Sequence, residues 1–305
     1  MKTFRLLEGK FAECSSEEAQ IYFYLNPDEN EKNYLINQVL IDEHTLHSSL
    51  DPEEVGRIEF ESNHLVAITK RPKRYSAEDD FLFKVASLGL FLFPDKLIIV
   101  SAENDLSWEG KIYSKMQTPQ DVFLRIIFKT ILHFEEHLRV IRKVSDELEL
   151  EIKRAFSNKD LLNMFKLEKS LVYYIDAINS NNKVIEKLKL SSAKSGFSQD
   201  VNEFLDDLMI EGNQCAQQAN SYSQVLSSMM DAWASMINNN LSIRLKTLTL
   251  LSLCIMTPTL VVSIFSMNVA LPIPQEGSVC SFWIVLGLAF SSVVAILTAW
   301  FYNKW

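Results

Sequence analysis

The sequence predicts a mixed α/β domain followed by long stalk helices and two C-terminal transmembrane helices. Three features predict it. Short alternating or β-branched segments fill the first hundred or so positions. Neither Gly nor Pro occurs from Gln120 to Ser191. Two uncharged apolar runs close the chain, one over Thr247–Ser266 and one over Cys280–Tyr302. At 305 residues there is room for two or three domains. The divisions fall at 1–117 (α/β domain), 118–246 (stalk helices) and 247–305 (two-helix membrane domain with an outer loop over 267–279).

In the first part, Phe4–Leu7 and Ile21–Leu25 are strand candidates. Asn26-Pro27-Asp28 is a turn and helix-start signal, with a helix over Glu31–Leu40 and another over Asp42–Leu50. Arg57–Phe60 and Leu65–Thr69 read as strands joined through Asn63. The Phe-rich tract Phe81–Phe93 and Leu97–Val100 flank Pro94-Asp95 and read as sheet core. Thr118-Pro119-Gln120-Asp121 then places Thr at an N-cap, Pro at the first helical position and an acid in the first turn. Ser157-Asn158-Lys159-Asp160 offers one restart, so two long helices are expected, with apolar positions at helical spacing (Leu161, Phe165, Leu171). Ser198 caps a further helix that meets no proline until Pro258. At 1.5 Å per residue those ~60 residues extend about 90 Å, from the soluble part directly into the membrane.

The charge budget excludes several functions. The sequence is 48% hydrophobic with a formal net charge of -9, and its charge lies almost wholly before Thr247. An acidic soluble part carries no footprint for nucleic acid and suits cations as partners. Cysteines 14, 215, 254 and 280 have neither C-x-x-C nor metal-ligand spacing, so no disulfide framework is read. Each apolar run has about 20 uncharged residues, enough for a hydrocarbon core of about 30 Å. Arg244 and Lys246 precede the first run and Lys304 follows the second. The loop between carries only Glu276, so both termini are expected in the cytoplasm of a multi-pass cell-membrane protein. Trp283 and Trp300 are interface anchors.

The first run is not uniformly apolar. Thr249, Ser252, Met256, Thr259, Ser263 and Ser266 recur every three or four residues, and the same face continues back through Leu248, Leu245, Ser242, Asn238, Ser235 and Asp231. Its hydroxyls either bond back to carbonyls one turn earlier and glue helices together, or line a pore. One helix encloses nothing, so a pore requires a cyclic homo-oligomer. An uncharged lining does not strip water from a small divalent ion, which therefore passes hydrated. Leu245, Leu248 and Met256 would be constrictions that close by dewetting.

Together these residues resemble the CorA-like divalent-cation channels and transporters, a family with a Gly-Met-Asn signature at the outer end of the first span. Here Ser266-Met267-Asn268 stands at that place, after the Met-x-Pro-Thr run Met256–Thr259, and the ending Tyr302-Asn303-Lys304-Trp305 is similar as well. The resemblance implies a funnel-shaped, pentameric homo-oligomer in the bilayer that moves Mg²⁺ or another divalent cation and has no other cofactor. It assigns Asn268 to the outer ring, Thr259 to a deeper polar ring and Met256 with Leu248 to the hydrophobic gate. Ser242 falls at the inner pore and Asp231 at an acidic ring. Asp207, with Asp206 beside it, falls where the family places a regulatory metal carboxylate between protomers. Ser266 in place of Gly leaves the preferred ion open. Proton-coupled zinc transport and a non-conducting membrane-anchored sensor or scaffold are the competing readings.

No nucleophile–base–acid set emerges, so no enzyme is expected. His133-Phe134-Glu135-Glu136-His137 fits an H-x-x-E-H pattern but lacks a third ligand and reads as a surface stretch of stalk helix. His44 and His47 read as surface residues too.

Overall fold

The chain opens with β1 (Lys2–Leu7), β2 (Lys10–Glu13) and β3 (Ile21–Leu25), followed by α1 (Glu29–Asn37) and α2 (Glu43–Ser48). β4 (Arg57–Phe60), β5 (Leu65–Pro72), β6 (Val85–Leu92) and β7 (Leu97–Ser101) come next, followed by the helices α3 (Pro119–Arg154), α4 (Asn158–Ser191), α5 (Gln199–Phe265) and α6 (Val279–Tyr302). This is a computed structural model; it describes residues 1–7, 10–15, 18–75, 81–103, 116–154, 158–191, 198–267 and 279–302. The chain forms two compact units, Met1–Met230 and Asp231–Trp305.

In the first unit seven strands form one sheet in the order β2-β1-β3-β7-β6-β5-β4. Only β3 and β7 run parallel; β4 to β7 form an antiparallel meander. Its turns are closed locally, by Glu61 N–H to the His64 carbonyl (2.9 Å) and Phe93 N–H to the Lys96 carbonyl (2.8 Å). The expected strands are present, but β6 begins at Val85 rather than Phe81, where the backbone takes a positive φ of 66°. β2 was not expected: it has four residues and pairs only with β1, at the sheet edge.

Strand alternation sorts the sheet into two faces. Tyr24, Val66, Ile68, Phe91, Ile98 and Val100 join Leu35 of α1 and Leu46 of α2 in one core cluster. α3 and α4 cover the opposite face: α3 packs on β5, β6 and β7, and α4 on β4, β5 and β6. Val122, Phe123, Ile126 and Ile127 of α3 and Leu167, Leu171 and Tyr174 of α4 are buried there. Each such side chain contributes ~1.5–3 kcal/mol by leaving water. Caps fix the helix starts. Asp28 and Glu31 make a reciprocal capping box at α1, Asp42 caps α2, and the Thr118 hydroxyl accepts from Asp121 N–H at α3.

A polar seam sews α4 to the sheet. Asn181 accepts from Lys70 N–H and donates to the Lys70 carbonyl, both at 2.7 Å. Ser180 donates to the Gly56 carbonyl. Gly56 is needed for this approach, since a Cβ there would lie 2.5 Å from the Ser180 hydroxyl and 3.1 Å from the Ile68 carbonyl. α4 and α5 run antiparallel, with Glu168 opposite Ser227, Asn182 opposite Gly212 and Lys189 opposite Asp206.

In the second unit α5 continues through Pro258 to Phe265, and α6 follows. The apolar part of α5 has no buried residue, and α6 is nearly as exposed. A core helix of a water-soluble protein buries such a surface. An exposed one of this length requires lipid or further copies of the chain.

Candidate cation pathway

The polar face lies on one continuous helix. Asp231, Asn238, Ser242, Leu245, Leu248, Thr249, Ser252, Met256, Thr259 and Ser263 all belong to α5. At about 100° per residue they, with Ser266, fall within a sector of about 120°. Every one is exposed in the single chain, Leu248 at 60% and Met256 at 67%. Thr247, Thr257 and Pro258 lie outside the sector. Pro258 lines a groove with Trp283, Gly287 and Phe290 of α6. The proline breaks the ladder, because it has no N–H for the Cys254 carbonyl. That break therefore falls on the α6 side and spares the polar face.

Hydroxyls on this face are already engaged as donors. Thr249 donates to the Leu245 carbonyl (2.9 Å), Ser252 to Leu248 (3.0 Å) and Thr259 to Ile255 (2.7 Å). Back-bonding alone does not mark the face, since Thr247 and Thr257 do the same elsewhere on the helix. Its chemical consequence does matter. A hydroxyl whose proton is held by the backbone presents only oxygen lone pairs. Water molecules around a cation point their protons outward, so such a face suits a hydrated cation without drawing away its shell.

The C-terminal end of α5 is closed by Ser266 itself. α5 stops at Phe265, and Ser266 donates its hydroxyl to the Ser263 carbonyl at 2.9 Å. Its N–H bonds the Val262 carbonyl, and Met267 N–H that of Ile264. Positive φ among the described non-glycine residues occurs at Asn26, Leu40 and Phe81. Ser266 therefore ends the helix without the left-handed backbone that favours Gly, and makes a bond that Gly lacks. Asn268 lies outside the described residues.

Asp206 and Asp207 sit near the start of α5 and are both exposed. Asp206 is ion-paired to Lys189 of α4 at 2.6 Å. Among the described residues no three His, Cys, Asp or Glu side chains of one chain come together as a metal site. Sequence inspection missed Lys189. The signal was the antiparallel α4–α5 hairpin, which faces the last turn of one helix toward the early turns of the other.

The H-x-x-E-H segment is only partly a surface feature: Glu136 is exposed, but His133 and His137 are half-buried. His133 and His137 pack edge to face at 4.6 Å. His137 Nδ1 lies 2.7 Å from the Tyr174 hydroxyl, and its ring meets Phe83. Burial, aided by His137 and nearby cationic side chains, pushes His133 down to about 3. Burial also lowers His137, against the pull of Glu136. Both rings are half-buried, and that of His137 is set against Phe83 and Tyr174 of α4. His44 and His47, as expected, are exposed.

A pH dependence follows. The folded His133 stays neutral well below its ordinary value of 6.5, whereas the unfolded chain takes up a proton there. Stability is therefore complete above about pH 6.5 and falls as the pH drops from there toward 3. The melting temperature of the detergent-solubilised protein is expected to fall between pH 7.5 and 5.0, and to fall less in His133→Phe. Equal drops in the two proteins would refute this assignment.

A model of the family described as "CorA-like Mg2+ transporter protein" matches residues 16–304. The chain belongs to this CorA-like family. Members are divalent-cation transporters and not enzymes, in agreement with the lack of a catalytic set. The cobalt/magnesium transport protein CorA of Methanocaldococcus jannaschii is 25% identical over 295 residues, covering 93% of this chain and 90% of that protein. The complete structure of the CorA magnesium transporter from the same organism superposes with a TM-score of 0.78 at 18% identity, over 98% of this chain and 96% of that one. The full-length CmaX protein gives 0.76 at 11% identity, over 100% and 98%. The cytoplasmic domain of ZntB from Vibrio parahaemolyticus gives 0.59 at 11% identity, over 78% and 98%. These structures establish the CorA-like fold: an α/β domain, long helices and two C-terminal membrane-spanning helices.

Proposed function

We propose that this CorA-like chain is the subunit of a pentameric channel that passes hydrated divalent cations, Mg²⁺ first among them, across the cell membrane. Both termini lie in the cytoplasm. Residues 1–117 form the cytoplasmic α/β domain, 118–246 the stalk and 247–305 the membrane domain, with 267–279 as the outer loop. The observation that carries this reading is the uncharged polar face of α5, exposed along its membrane segment as far as Ser266, which opens the Ser266-Met267-Asn268 sequence. Copies arranged about an axis turn that face inward. Asn268 then receives the hydrated ion, Thr259 forms the next ring, and Ser263, Ser252 and Thr249 offer acceptor oxygens along the way. Met256, Leu248 and Leu245 make the apolar constriction, and Ser242, Asn238 and Asp231 line the widening inner mouth.

The membrane potential supplies the driving force. A divalent ion gains about twice 2.3 kcal/mol per 100 mV, so a passive pore suffices for uptake. Metal on Asp206 and Asp207 between protomers holds the closed state, because a ligand shifts an equilibrium by its differential affinity for the two states. Purified protein in liposomes with an inside-negative potential is expected to take up Mg²⁺, and a competition series with Co²⁺, Ni²⁺ and Zn²⁺ ranks the ions. Uptake that tracks a pH gradient at zero potential would point instead to proton coupling. No uptake of any divalent ion, with the oligomer intact, would sink the channel reading.

A further inference from the structure

We propose that Lys189 is a tethered cation that competes with a divalent ion for Asp206, and so sets how tightly the Asp206–Asp207 pair binds metal. The inference rests on the reading of that pair as the regulatory site. Lys189 lies in the last turn of α4. Its Nζ donates to Asp206 Oδ2 at 2.6 Å and to the Asn202 carbonyl at 3.0 Å. Those two oxygens sit one helical turn apart on α5. One is a carboxylate and the other a carbonyl, the oxygen types that hard divalent cations take. The ammonium therefore occupies a pair of oxygens that a metal would use.

The clasp lies at the surface, open to an ion from solution. The Lys189 side chain is 29% exposed and that of Asp206 57%. An ion approaching Asp206 meets a positive charge already in contact with the carboxylate. It must displace the ammonium, or bind through Asp207 alone. Displacement would also loosen the α4–α5 hairpin, which Asn182 to Gly212 and Ser227 to Glu168 tie as well. Metal on Asp206 and closure of the clasp thus compete for the same carboxylate. A partner carboxylate brought up by a neighbouring protomer would bias this exchange toward metal.

The test uses Mn²⁺ as the probe and full-length protein in detergent, with free Mn²⁺ read from its electron paramagnetic resonance signal. Lys189→Met is expected to tighten Mn²⁺ binding about fivefold, the scale of an exposed ion pair converted to affinity. Lys189→Arg keeps the clasp and should stay near wild type. The gain should vanish when Lys189→Met is combined with Asp206→Asn, which a merely structural role for Lys189 would not produce. If Asp206→Asn/Asp207→Asn leaves Mn²⁺ affinity unchanged, the regulatory pair is misassigned and the proposal falls with it. If that double variant weakens binding but Lys189→Met does not tighten it, the proposal alone is overturned. Lys189→Gln replaces Lys189→Met should the latter fail to assemble, and the same outcomes apply.

Discussion

Asn268→Ala is expected to lower divalent-cation uptake about a hundredfold while the oligomer stays intact. The size of the effect comes from symmetry. A hydrogen bond from an ion's hydration water to one amide oxygen contributes only ~0.5 kcal/mol net, but the proposed pentamer loses about five at once, and ~2.5 kcal/mol is near two powers of ten. A paired substitution tests the face itself with chemistry held constant. Thr259 and Thr257 both bond back to the preceding turn. Only Thr259 lies in the polar sector; Thr257 is rotated from Met256 by about 100°. Thr259→Val should reduce uptake severalfold in liposomes, and Thr257→Val should leave it unchanged. Equal effects would mean that the lumen is not on this face of α5. Unchanged flux in Asn268→Ala would mean that the outer ring is misassigned.

How much of this was legible beforehand follows from which interactions are local. The start of α3 is readable because Thr118, Pro119 and Asp121 act within one turn, and Asp121 indeed accepts from Gln117 and Thr118 N–H. The membrane segments are readable because a run without charge has few other uses. The polar face of α5 is readable because helical spacing alone decides which residues share a side. β2 was not, since its four residues form a strand only by pairing with β1. The partial burial of His137 was not, because the covering groups Phe83 and Tyr174 come from elsewhere in the chain. Histidines on a charged helix look like surface until the sheet and α4 are laid on them. Lys189 escaped for the same reason: its partners are on the next helix. Asn268, which the resemblance rather than any spacing singled out, remains a proposal.

The seam between α4 and β5 shows what such non-local contacts are worth, and Asn181→Ala is the substitution expected to damage the fold most. β4 begins at Arg57, opposite Ile68, so Lys70 lies two residues beyond that end of its neighbour. Its backbone N–H and carbonyl are taken up instead by the Asn181 amide, which is 4% exposed. Alanine removes both partners and leaves a buried donor and a buried acceptor. Each unsatisfied group costs ~1–3 kcal/mol, so a loss of about 3 kcal/mol is expected. For a unit of this size that corresponds to a fall in melting temperature of about 6–12 °C. Asn181→Asp should be no better, because its second oxygen would face the Lys70 carbonyl where the amide now donates. Asn179, on the same helix but exposed, is the control: Asn179→Ala should shift melting by less than about 1–2 °C. Thermal unfolding of the detergent-solubilised protein reads all three. A drop in Asn181→Ala no larger than in the Asn179 control would show that water or a neighbouring group replaces the amide, and that the seam is not what holds α4 on the sheet.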